Sequence, residues 1–313
     1  MKTYAIDLGG TRIKLAIIID GEICVTKIIP AHSDQGLTDR LPQISDILKE
    51  MDLNYQQIQL DGVGMAFPGI VNFYENRIVT SNEKYKDAAN TDIIGWAKRE
   101  FHTKIILDND ANAALLGEVY YGAAKGCENV AMMILGTGVG TASMIRGQMI
   151  RGIHGQAGCL SGHITMNLNG RRCNCGNQGC LEANASTWAL PYLVKETEQY
   201  LDSPFRKEPV QDFSTLRTYY QKGDPLAKYL FDHCVAYWGA GAVNLIHSYD
   251  PELIVLSGGV SRFTEIIRPI QKWIDEYAWT PWGRVRIIPA KQPESSVLLG
   301  LHYLVEESKK GVQ

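Results

Sequence analysis

The chain has 313 residues, of which 45% are hydrophobic and 21% are charged, which is typical of a globular protein and excludes a disordered or coiled-coil chain. Its 31 basic and 34 acidic residues give a net charge of −3, so no basic excess favours nucleic acid or an anionic membrane as a partner. Asp7 argues against a secretion signal, and the uncharged stretches are too short to span a membrane. Three of the seven cysteines fall within eight residues, which favours a reducing cytoplasm over a secreted disulfide scaffold.

The first third of the chain alternates strand and helix patterns. Residues 3–20 hold two β-rich runs around a glycine-rich turn, which predicts a hairpin. Apolar residues then recur every three or four positions from Leu37 to Met51, which predicts an amphipathic helix. An apolar strand over 61–66 ends at Pro68-Gly69, and residues 92–101 are expected to be helical.

A second strand–turn–strand pattern suggests that the architecture is duplicated. A short strand at 104–107 stops at Asp108, and the Ala- and Leu-rich segment 111–124 is expected to be a helix. Residues 130–146 then repeat the arrangement of 3–20, with a Gly/Thr turn between two apolar runs. One such hairpin would open each half of the chain.

The remaining elements predict an α/β fold. Residues 147–185 are rich in turns, and the expected elements after them are helices over 186–248, a strand at 252–257, a helix at 263–277, a strand at 284–289 and a helix at 297–309. We expect an N-terminal α/β lobe over 1–124 and a larger C-terminal α/β lobe over 125–313, whose final helix packs back on the first lobe.

Three glycine-rich turns follow apolar strands and are candidates for phosphate binding. The first contains Asp7, Gly9, Gly10 and Thr11, where backbone N–H groups and a hydroxyl suit phosphate oxygens, Asp7 suits hydrated Mg²⁺, and Lys14 can reach a phosphate. The other two are Gly136-Thr137-Gly138 and Gly258-Gly259. Each turn alone is also compatible with an ordinary hairpin or strand end. Together they resemble the phosphate and adenosine loops of the duplicated, two-lobed actin-like ATPase (ribonuclease H-like) fold, and no Walker A motif is present.

The run Asp108-Asn109-Asp110 precedes a predicted helix. We interpret Asp108 as a helix cap. Phosphoryl transfer to an alcohol needs a carboxylate that orients the hydroxyl and accepts its proton, and we assign this role to Asp110. Asn109 can exchange hydrogen bonds with neighbouring hydroxyls of a polyol.

A cysteine cluster indicates a closed metal site. His163, Cys173, Cys175 and Cys180 supply one imidazole and three thiolates, the donor set of a structural tetrahedral Zn²⁺. The alternative is a set of reduced cysteines or a redox pair. Glu182 follows at a position suited to a sugar hydroxyl or, alternatively, to a solvated surface. The other four cysteines are expected to be small buried hydrophobes: Cys24, Cys127, Cys159 and Cys234.

These motifs together resemble the ROK family (repressor, open reading frame, kinase). They are DLGGT at 7–11, PG at 68–69, NDAN at 109–112, LGTGVG at 135–140, HGQAG at 154–158, GH at 162–163, CNCGNQGCLE at 173–182 and LSGGV at 256–260. The resemblance implies phosphorylation of hexoses or N-acetylhexosamines with ATP and Mg²⁺, commonly at the 6-hydroxyl and in homodimers, or a sugar-responsive repressor. It implies that Asp110 is the base, that His163 and the three cysteines bind zinc, and that Asn109, Glu182, His163, Gly69 and Asn82 lie at the sugar.

The chain departs from the family pattern at one sugar-binding position. The usual GExGH motif is replaced by Gly158-Cys159-Leu160-Ser161-Gly162-His163, which has one extra residue and no carboxylate. Loss of a charged acceptor for a sugar hydroxyl costs about 1.5–3 kcal/mol. Either the sugar differs at that hydroxyl, or Gln156 or Ser161 compensates.

Three functions follow from this pattern. The leading one is a glucokinase-like, ATP-dependent hexose kinase, with an N-acetylmannosamine or N-acetylglucosamine kinase as the alternative. A repressor would need a DNA-binding helix-turn-helix before a hairpin that already begins at residue 3. A sugar sensor without turnover would have no need of Asp110 and three nucleotide loops.

Overall fold

The computed structural model describes residues 1–81 and 84–311. Over these residues the strands are β1 (Lys2–Leu8), β2 (Arg12–Ile19), β3 (Glu22–Pro30), β4 (Leu60–Phe67), β5 (Gly69–Asn72), β6 (Arg77–Ser81), β7 (Ile105–Asn109), β8 (Val130–Leu135), β9 (Val139–Ile145), β10 (Gln148–Met149), β11 (Leu253–Ser257) and β12 (Arg286–Pro289). The α-helices are α1 (Leu41–Met51), α2 (Ile93–Phe101), α3 (Asp110–Tyr121), α4 (Leu181–Ala185), α5 (Leu190–Glu196), α6 (Phe213–Gln221), α7 (Pro225–Tyr249), α8 (Ile267–Tyr277) and α9 (Ser296–Lys309).

The chain divides into two compact units. The first comprises residues 1–126, 151–157 and 294–313, and the second comprises residues 127–150 and 158–293. Each unit contains a five-stranded sheet.

The two sheets share one topology. The first has the strand order β3-β2-β1-β4-β7, and the second has the order β10-β9-β8-β11-β12. In each, the opening hairpin is antiparallel, and its first strand lies parallel to the two strands that follow on its other side. The predicted duplication and the mixed α/β class are therefore confirmed.

Central strands of the two sheets are buried along nearly their whole length because both of their faces are covered. All five residues of β11 are buried, and six of the seven residues of β1 are buried. These are the strands that the sequence predicts most clearly. Trp238, on α7, lies fully buried in the core of the second unit, where its indole donates to the Ala185 carbonyl at 2.8 Å.

Edge strands are harder to recognise. The strand β3 lies at the edge of its sheet, and most of its residues are exposed. Neither β3 nor the small β5–β6 hairpin is predicted from the sequence pattern. Cys24 lies on the exposed face of β3 and Cys127 is only partly buried, so the expectation that both are buried hydrophobes is wrong. Cys159 and Cys234 are buried as expected.

The closing helix packs within the first unit by close backbone approach. A Cβ added to Gly117 on α3 would overlap the carbonyl oxygen of Ser296, and one added to Gly300 on α9 would overlap that of Ala113. The absence of side chains at these two positions brings the helix backbones together. Within the described residues, no helix has the length and apolar character required to cross a membrane.

The close contact between α3 and α9 predicts how a methyl group added at Gly117 changes the stability of the protein. Gly→Ala inside a helix normally stabilises a protein by up to about 1 kcal/mol. We expect Gly117→Ala instead to lower the free energy of unfolding by about 1–3 kcal/mol, because the new Cβ has to displace backbone. Urea unfolding measures this change. An unchanged or increased stability would contradict the described packing.

Candidate functional site

Three predicted site segments of the first unit lie along the carboxyl-terminal edge of its sheet, which is the edge formed by the ends of its parallel strands. Asp7 is the penultimate residue of β1, Gly69 follows β4, and Asp110 follows β7. Because these three strands are parallel neighbours, their carboxyl ends meet at this edge. Ligands of α/β proteins bind at the carboxyl ends of parallel strands.

The turn between β1 and β2 is tied to its surroundings through carbonyl groups. The N–H of Gly9 donates to the Arg12 carbonyl at 3.0 Å, and a Cβ on Gly9 would lie 2.5 Å from that oxygen, so only glycine fits. The Tyr85 hydroxyl donates to the Gly9 carbonyl, and the Ser33 hydroxyl donates to the Gly10 carbonyl, each at 2.9 Å. The Thr11 side chain is exposed beside them.

Two carboxylates interact at this edge. The pKa of Asp7 is raised to about 6, chiefly by burial and also by the negative charge of Asp110, against the opposing effect of Lys14. Burial also raises the pKa of Asp110, against the opposing effects of the Ala111 N–H and the positive charge of Lys84. Both carboxyl groups therefore have a higher pKa than an exposed aspartate.

Asp108 and Asn109 have different roles at the start of α3. Asn109 is the N-cap of α3, since its Oδ1 accepts hydrogen bonds from the N–H groups of Ala111 and Asn112. The prediction that Asp108 caps this helix is wrong. Asp108 is buried and forms an ion pair with Arg151. Its Oδ1 accepts from the N–H of Asn109 and from the Asn112 side chain, and not from the backbone N–H groups of the first turn of α3.

Asn109 also reaches the predicted sugar-side loop. Its Nδ2 donates to the Gly69 carbonyl at 3.0 Å, so Asn109 connects the start of α3 to the segment after β4.

Lys14 donates to the backbone carbonyl of Glu294 at 3.0 Å and forms an ion pair with the Glu294 side chain. Asn82 lies outside the described residues.

Sequence reasoning missed Lys84. A Cβ on Gly10 would lie 2.6 Å from its Cε and 2.9 Å from its Nζ, which places the ammonium group against the first glycine turn, and its charge reaches Asp110. No local pattern marks this lysine. The contact depends on bringing together segments that are distant in the sequence. Arg151 was missed for the same reason.

In the second unit, two glycine turns meet at the corresponding edge. The 136–138 loop follows β8, and Gly136 donates to the Gly138 carbonyl at 3.0 Å. Gly258 follows the adjacent parallel strand β11 with a φ of 89°, and a Cβ there would overlap the Leu135 carbonyl oxygen. Gly259 has open space around its Cα, and Thr137 is exposed.

Glu182, at the start of α4, lies against this loop. Its carboxylate accepts hydrogen bonds from the N–H of Val139 at 2.9 Å and from the indole of Trp188 at 3.1 Å. The alternative that Glu182 is a freely solvated surface acid is therefore wrong.

The four predicted metal ligands converge. The ligand atoms of His163, Cys173, Cys175 and Cys180 all lie within 4.8 Å of one another. The Sγ atoms of Cys175 and Cys180 are 3.7 Å apart, and Cys173 Sγ lies 3.5 Å from His163 Nδ1. Zn–S bonds of about 2.3 Å in a tetrahedron separate two sulfurs by about 3.8 Å, so both the spacing and the donor set fit zinc.

The departure from the GExGH pattern has a defined structure in the second unit. The Thr141 hydroxyl donates to the Gly158 carbonyl at 2.7 Å and accepts from the N–H of Ser161 at 3.0 Å. Cys159 and Ser161 are both buried, while the Gln156 side chain in the first unit is exposed.

Two units with this strand order, each with glycine turns at the carboxyl ends of its parallel strands, define an actin-like ATPase fold. The ROK family model matches residues 3–308, and the chain belongs to this family.

Relatives of the chain include two bacterial glucokinases. That of Halalkalibacterium halodurans is 33% identical over 291 residues, which cover 87% of this chain and 85% of the relative. That of Thermotoga maritima is 28% identical over 319 residues, which cover 98% of each chain. The solved structure of a ROK hexokinase from Thermus thermophilus is similar with a TM-score of 0.82 and 27% identity over 100% of both chains.

The metal cluster predicts a metal-dependent stability. Protein purified without chelators should contain about one zinc per chain by elemental analysis. Cys180→Ser should lose this zinc and should have a lower melting temperature, because a site with three ligands binds zinc much more weakly. Cys24→Ser is the matched control, since Cys24 is exposed and outside the cluster. Full zinc content in Cys180→Ser would remove Cys180 from the ligand set.

Proposed function

We infer that the protein is an ATP-dependent sugar kinase, and we propose that it phosphorylates a hexose at the 6-hydroxyl with Asp110 as the general base. The family match over residues 3–308, the two glucokinase relatives and the ROK hexokinase structure support the kinase class. The 6-hydroxyl and the role of Asp110 rest on the ROK resemblance together with the environment of Asp110.

The observation that carries the proposal is the placement of Asp110. It is the first residue of α3, at the carboxyl end of β7, and burial raises the pKa of its carboxyl group. A raised pKa makes a carboxylate a stronger proton acceptor. Phosphoryl transfer to an alcohol requires such a group to orient the hydroxyl and take its proton.

The glycine turns supply the nucleotide-binding groups in this proposal. Gly9, Gly10, Thr11 and Lys14 would bind phosphates in the first unit, and the 136–138 loop with Gly258 and Gly259 would bind them in the second. Asp7 is suited to hold Mg²⁺ through water, and the bound ion would neutralise phosphate charge.

Sugar contacts follow from the ROK resemblance. They are proposed for the side chains of Asn109, Glu182, His163 and Asn82 and for the backbone at Gly69. His163 presents Nδ1 to the cysteines, and we propose that the zinc held there is structural, because four protein ligands leave no open coordination position.

An N-acetylhexosamine is the alternative acceptor, because the missing carboxylate at 158–163 is compatible with a sugar that differs from glucose at the hydroxyl that the carboxylate would bind. A coupled ADP-release assay over glucose, mannose, fructose, N-acetylglucosamine and N-acetylmannosamine separates the two. The largest kcat/KM for glucose supports the hexose proposal, and the largest value for an N-acetylhexosamine replaces it.

Replacing Asp110 by Asn tests the base directly. We expect kcat to fall about 10²- to 10⁴-fold, because the amide cannot accept a proton, while the Kd for sugar, measured by calorimetry, changes little. Asp46→Asn is a control, since Asp46 is exposed on α1. Wild-type turnover in Asp110→Asn would remove Asp110 from the reaction.

The raised pKa of Asp110 predicts an acid limb in the pH profile. Below this pKa the carboxyl group is protonated and cannot accept the hydroxyl proton. The kcat/KM for sugar should therefore fall tenfold for each unit by which the pH is lowered, and the fall should begin at a higher pH than the ordinary aspartate pKa of about 3.9 would give. Lys84→Met removes a charge that lowers this pKa and should move the limb to higher pH, whereas Lys84→Arg should keep it in place. An identical limb in all three proteins would exclude the electrostatic contact with Lys84.

A further inference from the structure

The 136–138 loop is anchored by the short segment that follows α4. Thr187 donates to the Gly136 carbonyl through both its N–H, at 3.1 Å, and its hydroxyl, at 2.8 Å. The N–H of Trp188 donates to the Thr137 carbonyl at 3.2 Å. Two successive carbonyl groups of the loop are therefore fixed by two neighbouring residues.

Glu182 holds the far end of the same loop. Its Oε2 accepts from the N–H of Val139 at 2.9 Å, and its Oε1 accepts from the indole N–H of Trp188 at 3.1 Å. A Cβ on Gly138 would overlap this carboxylate, so the charged group lies directly on the loop backbone. Glu182 thus bonds both to the residue after the loop and to one of the two residues that anchor it.

A glycine-rich loop that binds phosphate needs hydrogen bonds that fix its backbone. Glycine residues give the backbone wide conformational freedom, and binding a phosphate requires the N–H groups to be fixed in one arrangement. Hydrogen bonds to a carboxylate are stronger than those between neutral groups. The bonds from Glu182, Thr187 and Trp188 fix the loop before any ligand arrives, which reduces the entropy lost when phosphate binds.

We propose that Glu182, Thr187 and Trp188 are positioning residues for the nucleotide, which hold the 136–138 loop in the conformation that receives the phosphates of ATP. This inference rests on the proposed function, in which the loop binds phosphate. It gives Glu182 a task separate from the sugar contact implied by the ROK resemblance. A carboxylate can accept about four hydrogen bonds, so its two protein donors leave positions for a sugar hydroxyl.

The first test removes one hydroxyl and measures nucleotide binding without sugar. Thr187→Val should raise the Kd for MgATP, measured by calorimetry, about 2- to 10-fold, since it loses one neutral hydrogen bond to the loop. Thr187→Ser keeps the hydroxyl and should restore the wild-type value. Thr197→Val is the matched control, because the Thr197 hydroxyl also donates to a backbone carbonyl, that of Leu193 at 2.8 Å, outside the loop.

The second test separates the two tasks of Glu182. In Glu182→Gln one of the two acceptor oxygens becomes an amide donor facing Val139 or Trp188, so the sugar-free Kd for MgATP should rise about 5- to 20-fold. A residue that served the sugar alone would leave this Kd unchanged. Wild-type nucleotide affinity in both Glu182→Gln and Thr187→Val, with melting temperatures showing that both are folded, overturns the proposal.

The result for the unsubstituted protein distinguishes this inference from the proposed function. If the wild-type protein binds no MgATP, the kinase proposal itself fails, and the positioning role fails with it. If the wild-type protein binds MgATP, and Thr187→Val and Glu182→Gln lose affinity while the control variants keep it, both proposals are supported.

Discussion

Partial burial of Asp7 and Asp110 is the physical constraint on which the proposed chemistry depends. Parallel pairing of β1, β4 and β7 carries both carboxylates to one edge of the first sheet, and burial there raises the pKa of each. An isolated pair of buried acids would be costly in the ionised state, because like charges in a poorly solvated site repel. The cations at this edge offset that cost: Lys14 lowers the pKa of Asp7, and Lys84 lowers that of Asp110.

The second unit is subject to a different constraint. Its segment 158–180 is too rich in glycine to form a core of its own and has to be ordered in another way. A Cβ at Gly162 would overlap the Val139 carbonyl, and one at Gly179 would overlap that of Asn167, so these glycines allow close backbone approach. The four converging side chains have the donor set of a zinc site, and a bound ion would supply the cohesion that apolar packing does not. Glu182 then connects α4, which directly follows Cys180, to the 136–138 loop.

Most of the strand and helix framework could be predicted because its signals are local. The strands β1 and β11 each contain a buried apolar run, and the candidate metal ligands follow a spacing that few other sites share. Edge strand β3 escaped prediction because its residues are mostly exposed and carry no single apolar face.

The electrostatic surroundings of the site could not be predicted, since they depend on residues that meet only after folding. Lys84 lies against Gly10, and Arg151 pairs with buried Asp108, although neither lysine nor arginine stands in a recognisable motif. The choice of helix cap was wrong for a related reason: 108 and 109 are both good capping residues, and only the direction in which β7 ends decides between them.

The most direct measurement of the central claim is the titration of the two carboxyl groups themselves, by carbon-13 NMR of the free protein with Asp7→Asn and Asp110→Asn used for assignment. The account predicts that Asp7 titrates near pH 6 and that Asp110 titrates above the ordinary aspartate range. Two carboxyl groups that both titrate at or below about 3.9 would show that neither is desolvated, and would contradict the account.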